Sequence, residues 1–380
     1  MRKLFSLMLA VMLLAACGGA GTTTNTATTA TTGNTMMATA TTAMMETAMP
    51  MATATTAMME TSTAGSTTGG KKLRIALVTD TGKVNDGTFN QFAYDGMKRA
   101  ETELGVEINY IETAQQSDYE KNLGQFADEK YDLVIGVGFL MGDALKAVAT
   151  KYPNTKFAIV DVTYDPVLPN VKGMAFQEDE SGFLAGVAAA LVSKSGKIGF
   201  VGGVEIPPVQ KFRLGYEAGA KSVNPAIEVA AVYLPSFTDA AAGSEAAKSQ
   251  ISDGADVIFG AGGQTGSGGI QAAAQQGVYV IGVDQDEFVT TFKNGSTPGA
   301  DKIITSALKR VDNVVYSVIQ ELVEGKFLGG SYVGTVANGG VDFAPAHNAS
   351  AAITPEILTR LNEVKANLGN GTIKTNVTLP

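Results

Sequence analysis

From residue 73 onward, short apolar runs alternate with amphipathic stretches, and the alternation passes through two similar cycles. Strand-like runs at 73–78, 106–111, 133–136 and 156–161 are separated by helical patterns at 88–104, 117–129 and 141–151. A short strand at 171–176 and a helix at 179–194, stopped by Ser195-Gly196, close the first cycle. The second has strands at 197–201, 227–233, 256–259 and 278–283, with helices at 208–223, 240–252 and 268–276. Strand–helix units joined by short loops imply a doubly wound parallel sheet with right-handed crossovers. Two such sets, in about 310 residues of globular chain, imply two lobes and a cleft. Ligands of open α/β sheets are met at the carboxyl ends of strands. In the stretch KLRIALVTDTGKVNDGTFNQFAY at 72–94, Asp80, Asn85, Asp86 and Asn90 crowd around one such end.

The remaining chain is too short for a third lobe. A strand at 303–306, a helix at 307–324, a strand at 331–335 with a possible hairpin to 341–343, and a helix at 354–367 are expected to form hinge and cover. Val311, Val314, Val315, Val318 and Leu322 give the 307–324 helix its apolar face. The expected division is 71–178 with 303–325 for the first lobe and 179–302 with 326–350 for the second. Residues 351–380 are then a terminal helix and tail.

The first seventy residues read differently. Arg2 and Lys3 precede an apolar run at 4–14, and Leu14-Ala15-Ala16 stands before Cys17. A basic start, a short apolar region and small residues describe an export signal. The run is shorter than the ~20 residues of a membrane span. Either Cys17 is incidental to an ordinary signal peptide, or residues 1–17 form a lipoprotein signal with Cys17 acylated. The chain has one Cys, placed where lipidation requires it, which favours the second. Residues 18–70 are rich in Thr, Ala and Met, and ATATTAMMET occurs at both 38–47 and 52–61. Such a segment buries too little apolar area to offset its ordering entropy, so a disordered tether is expected. Its r.m.s. reach would be roughly 40 Å.

Composition removes several functions. The net charge of −9 argues against a nucleic-acid surface. One Cys and one His exclude an internal disulfide and leave no Cys/His zinc site.

Five motifs in order then carry a resemblance: DTGKVNDGTFNQ at 80–91, GFVGGVEIPPVQKFRLGYEAG at 199–219, GGQTGSG at 262–268, IGVDQDE at 281–287 and TSALKRVD at 305–312. The chain resembles the basic membrane protein (BMP, PnrA-like) family of bacterial lipoproteins, the nucleoside-binding subunits of ABC importers. The resemblance covers essentially residues 72–345. It implies a type I periplasmic-binding-protein fold with a hinge and central cleft. It also implies a monomer that is lipid-anchored on the extracytoplasmic face of the cell membrane and works with ABC permease subunits. No cofactor or metal is implied.

A nucleoside is a flat base joined to a polyol. Stacking on the base is worth ~1–3 kcal/mol per ring. The resemblance places one stacker at Tyr94, where the family often has Trp or Phe, and leaves Phe89 to the core. Phe212 and Phe237 are both candidates for the opposite face. Asn85 and Asp86 are assigned to the base edge by resemblance, with helix capping as the alternative. Asp161 and Asp284 each end a strand, one per lobe, and can accept from the ribose hydroxyls. Lys309 is expected to reach the cleft from the crossover helix. Gly263 permits close backbone approach. The Gly-rich loop lacks the Lys-Ser/Thr ending of a phosphate-binding P-loop, and the acidic groups nearby favour a nucleoside over a nucleotide.

The expected function is capture of a nucleoside, with a purine favoured, and its delivery to an importer. The same fold binding a sugar or small signalling molecule is the alternative. The distinguishing feature is a pair of parallel aromatic faces about 7 Å apart, set by van der Waals contact on both sides of a base. An exported nucleoside-processing enzyme would need a nucleophile or general base. His347 is remote in sequence from the site loops, and no Gly-x-Ser-x-Gly elbow is present.

Overall fold

The structure, a computed structural model, describes residues 72–349 and 351–380. The lipidation expected at Cys17 and the tether at 18–70 lie outside the described residues.

The first lobe is laid down as β1 (Arg74–Thr81), α1 (Phe89–Leu104), β2 (Glu107–Thr113), α2 (Tyr119–Asp128), β3 (Leu133–Gly136), α3 (Gly142–Lys151), β4 (Lys156–Val160) and β5 (Val171–Phe176). The chain then enters the second lobe with α4 (Glu178–Val192), β6 (Lys197–Gly202), α5 (Pro207–Val223), β7 (Glu228–Tyr233), α6 (Ala240–Ser252), β8 (Val257–Ala261), α7 (Gly263–Gln275) and β9 (Tyr279–Asp284). The return portion is β10 (Ile303–Lys309), α8 (Val311–Val323), β11 (Gly330–Gly334), β12 (Val341–Phe343) and α9 (Pro355–Gly369).

Among the described residues there are two six-stranded sheets, ordered β11-β5-β4-β3-β1-β2 and β12-β10-β9-β8-β6-β7. The pairing is parallel except between β10 and β12. Helices cover both faces of such sheets, so their inner strands read as unbroken apolar runs. Ile75, Ala76, Leu77 and Val78 of β1 are all fully buried. The α4–α5 pair packs closely because both helices carry glycines at four-residue spacing, Gly182 and Gly186 facing Gly215 and Gly219. A Cβ at Gly182 would lie 2.5 Å from the Phe212 carbonyl oxygen.

The return portion corrects the expected lobe boundaries. β10 belongs to the second sheet, not the first lobe, and pairs with β9 from Ile303 to Leu308. α8 does lie in the first lobe: it packs on α1, where Gly96 leaves room for the Asp312 carbonyl. β11 joins β5 in the first sheet and β12 joins β10 in the second, so the expected hairpin between them is absent. Among the described residues the chain therefore passes between lobes three times, at 176–178, 309–311 and 334–341. Apolar residues 303–308 read equally as strand or helix start, and sheet pairing decides for strand through Lys309. The helix expected from 307 begins at Val311. No described helix is long and apolar enough to cross a membrane.

Candidate functional site

The carboxyl ends of β1, β4, β9 and β10 converge on one pocket between the lobes. Its empty space, part of it open to solvent, is ≈ 630 Å³. From the first lobe it is lined by Asp80, Asp86, Phe89, Asn90, Phe139 and Asp161. From the second it is lined by Phe212, Phe237, Gly263, Asp284 and Lys309.

The two strand-end aspartates are counterparts. Asp161 follows β4 with φ 71°, and Asp284 closes β9 with φ 62°. A left-handed residue at a strand end turns the chain sharply, and Asp tolerates it better than most residues. Between them stands Lys309, the last residue of β10. Its side chain is 2 % exposed, with Nζ 2.8 Å from the Asp161 carboxylate and 3.3 Å from Glu178 Oε1. The rings of Phe89, Phe176 and Phe212 surround this ammonium at 4.9, 5.3 and 5.8 Å to their centroids. Those distances allow cation–π attraction, which is strongest where water is excluded.

Burial sets the titration of these groups. Asp284 is pushed up to about 7 by loss of hydration, against the pull of Lys309 and with the repulsion of Asp161, Glu287 and Glu178. Its Oδ1 is buried with no hydrogen-bond partner among the described residues, so one acceptor of the site is unused by the protein. Burial raises Asp161 as well, with Lys309 opposing. For Lys309 burial works against the ammonium, but Asp161, Glu178 and Asp284 outweigh it and hold the amine above its ordinary value. Behind Asp284, Glu287 is fully buried, accepts from Ser267, Thr291 and the Val283 N–H, and rises to about 7 by burial.

The first-lobe loop departs from expectation in three places. Asn85 is exposed and does not line the pocket. Asp86 does line it, but its carboxylate accepts from the N–H groups of Thr88 (2.8 Å), Asn90 (3.2 Å) and Gln91 (3.1 Å) and from Asn90 Nδ2 (3.1 Å). Those bonds make it the organiser of the α1 start, the capping alternative. Tyr94 points away: its ring packs edge-on against Tyr110 of β2 at 5.1 Å. Phe89, expected in the core, supplies the pocket aromatic of α1 instead. Asp80, which had no expected role, is buried facing the pocket. One of its oxygens takes the Tyr119 hydroxyl and the Thr81 N–H, and the other lies toward Gly138. Asn90, named at this strand end without a role, accepts the Asp80 N–H with its Oδ1, and Phe139 was missed.

In the second lobe both phenylalanines reach the pocket, in different ways. Phe212 is 3 % exposed and packs edge-on against Phe259 at 6.1 Å. Phe237 is half-buried in the loop after β7, seated on Gly203, where a Cβ would lie 2.5 Å from its ring. Gly263 has φ 59°, and a side chain there would meet the Phe237 carbonyl at 2.6 Å. Lys309 arrives from a strand end, not from the crossover helix as expected. His347 lies outside the pocket, stacked on Phe288 at 4.2 Å with Nε2 2.6 Å from Asp286.

Two parallel-sheet lobes, three chain crossings and an interlobe pocket lined by aromatic and charged side chains define a type I solute-binding protein. The Bmp family of ABC transporter substrate-binding proteins, PnrA-like, matches residues 72–371, and the chain belongs to it. The chain is 36% identical over 326 residues to the ABC transporter nucleoside-binding protein BmpA of Lactococcus lactis subsp. cremoris, covering 82% of this chain and 91% of that one. It is 34% identical over 325 residues to a CD4+ T-cell-stimulating antigen of Listeria innocua, covering 82% and 90%. A solved ABC transporter solute-binding protein from Aeropyrum pernix K1 aligns with TM-score 0.71 and 28% identity over 80% of this chain and 92% of that one. The protein is thus a substrate-binding component of an ABC transporter, in a family of binding proteins rather than enzymes. Its class works outside the cytoplasm with a solute and a permease as partners.

Proposed function

We propose that this protein captures a nucleoside, with a purine favoured, between its lobes and delivers it to an ABC permease without transforming it. The observation that carries the reading is the convergence on one pocket of the Asp161–Lys309 pair, the second strand-end carboxylate Asp284, and the rings of Phe89 and Phe237. The carboxylates and ammonium suit a ribose diol, which both donates and accepts. The rings suit a base, and the half-buried Phe237 is better placed than Phe212 to present a face. Asp80 offers a further acceptor toward a base N–H. A nucleotide is disfavoured, because a phosphate would meet four carboxylates in the pocket lining against one lysine. The name of the Lactococcus relative supports the same ligand class.

Closure over a ligand that touches both lobes follows from its better fit to the closed state. The protein is a monomer in this reading, held at the membrane by a lipid on Cys17. Radiolabelled fatty acid should enter the full-length protein and not its Cys17→Ala variant. Mass spectrometry of the solute released from purified protein, followed by calorimetry with a nucleoside panel, tests the central claim. Binding of a purine nucleoside at micromolar Kd or below is expected. No binding across the panel overturns the assignment, and release of free base during incubation overturns the non-catalytic reading.

A further inference from the structure

Glu178 is the first residue of α4 and stands where the chain first enters the second lobe. It does not line the pocket. Its side chain is 1 % exposed and receives two ammonium groups, Lys309 at 3.3 Å and Lys211 at 3.2 Å. Lys211, on α5 of the second lobe, also donates to the carbonyl of Phe176 at 2.9 Å, the last residue of β5 in the first lobe. An ammonium has three hydrogens. Asp161 takes one from Lys309 and Glu178 a second, which leaves a single N–H of Lys309 for a ligand. With Asp161 alone the ammonium could rotate about that one bond. With Glu178 added, the direction of the third N–H is fixed.

The neighbouring residues give the same location a mechanical meaning. Glu180 accepts the Val336 N–H at 2.6 Å, in the third crossing, and Asp179 accepts the Thr375 hydroxyl of the C-terminal tail. The second crossing begins at Lys309 itself. Residues 178–180 therefore bind both other crossings and the tail, and Glu178 is the member of the three that reaches a residue of the ligand pocket.

We propose that Glu178 is a positioning residue for the ligand site, fixing the free N–H of Lys309 and, through Lys211, tying its direction to the crossing between the lobes. Its effect on ligand affinity rests on the nucleoside reading, whereas its effect on the buried charges does not. The charged and titratable groups facing Lys309 are Asp161 after β4, Glu178 from α4 and Asp284 of β9, with Glu287 acting on Asp284 from the loop that follows. Lys211 of α5 lies on the far side of Glu178, and Asp80 and Asp86 line the same pocket from the first lobe.

Glu178→Gln and Lys211→Met, in the full chain, test this with inosine as probe. In Glu178→Gln one of the two acceptor oxygens becomes an N–H₂ facing Lys309 or Lys211, so inosine affinity should fall about ten- to hundredfold, the usual effect of losing a hydrogen bond to a charged group. In the ligand-free protein, ¹³C-carboxyl NMR should show Asp161 and Asp284 titrating at lower pH, because Glu178 repels both ionised forms. Lys211→Met should move Asp161 the opposite way, to higher pH, because Lys211 favours its ionised form. A purely structural role for Glu178 would leave the affinity of the folded variant unchanged, whereas the opposed shifts report that the charges of Glu178 and Lys211 reach the site. Unchanged titrations in both variants overturn the proposal, as does wild-type affinity in Glu178→Gln. If the wild-type protein does not bind inosine, the nucleoside reading falls and the titrations alone decide on Glu178. Should Glu178→Gln fail to fold, Lys211→Met carries the test, Lys211 itself being 27 % exposed and outside the core.

Discussion

Lys309 and Asp161 meet at 2.8 Å across the interlobe pocket, one ending a strand of the second sheet and the other following a strand of the first. Both side chains are nearly inaccessible, at 2 % and 5 % exposure. The pair therefore serves two ends: it joins the lobes at the base of the pocket and presents polar groups to a ligand. A buried ion pair is poor evidence for net stability, because desolvation consumes much of the attraction. Removing one partner alone is another matter.

Lys309→Met keeps most of the side-chain volume, leaves Asp161 buried without its cation and leaves Glu178 with Lys211 alone. The expected loss of folding stability is about 3–5 kcal/mol, the usual result of orphaning a buried charge. Urea denaturation of the ligand-free protein measures it. A loss well under 1 kcal/mol would mean that the carboxylates find water or protons more easily than their burial implies. Nucleoside affinity should vanish in the same variant.

The two phenylalanines of the second lobe should separate stability from binding. Phe212 is enclosed by core, so Phe212→Ala should cost about 3–5 kcal/mol through the cavity it opens. Phe237 sits on a glycine-floored loop at the pocket wall, with part of its surface open. Phe237→Ala should change stability little and weaken a nucleoside by about 1–3 kcal/mol, the worth of a stacked ring. Thermal unfolding and calorimetry on the two variants resolve the assignment. Equal loss of affinity with no loss of stability in Phe212→Ala would reverse it.

On the first lobe, Phe89→Ala should lower affinity and Tyr94→Ala should not. Five residues along an α-helix amount to about 140° of rotation, so Phe89 and Tyr94 cannot share a face. Phe89 turns to the pocket, and Tyr94 lies against Tyr110 and Lys98 on the outside. Calorimetry with the same nucleoside on both variants suffices. An affinity loss confined to Tyr94→Ala would mean that the ligand reaches the outer face of α1.

That pair also shows what the sequence could and could not convey. The alternation of strand and helix made the two lobes readable, because a parallel sheet covered on both faces leaves continuous apolar runs such as Ile75–Val78. Strand-end position located Asp161 and Asp284 without any knowledge of their side-chain environment. Residue phase on α1 was not settled by motif spacing, and Tyr94 was misplaced by it. The strand through Lys309 was read as the start of a helix, since a short apolar run carries no decisive period and only its pairing with β9 and β12 fixes it. Asp86 showed two chemistries in sequence, and only its four contacts within the loop and early α1 separate capping from base recognition. Glu178 gave no sign at all. An acidic residue beside Asp179 and Glu180 reads as ordinary compensation of a helix dipole, and its partners lie far away in sequence at Lys211 and Lys309.

The buried carboxylates of the second lobe predict a pH dependence of stability with a definite sign. Asp284 and Glu287 both rise to about 7 from ordinary values of 3.8 and 4.5, chiefly by burial. Between those limits the folded protein holds protons that the unfolded chain has released, so its stability must fall as pH increases. Their contribution is fully present below about pH 4 and is lost as pH rises through about 7. The ligand-free protein should thus melt at a higher temperature at pH 5.5 than at pH 8. Glu287→Gln isolates one group: the amide oxygen can still accept from Val283, and the hydroxyls of Ser267 and Thr291 can turn to accept its N–H₂. This variant should melt higher than wild type at pH 8 and show a flatter profile across the same range. A wild-type profile that rises toward pH 8, or a Glu287→Gln profile parallel to it, would mean that Glu287 is ionised throughout and held by its three donors against its own burial.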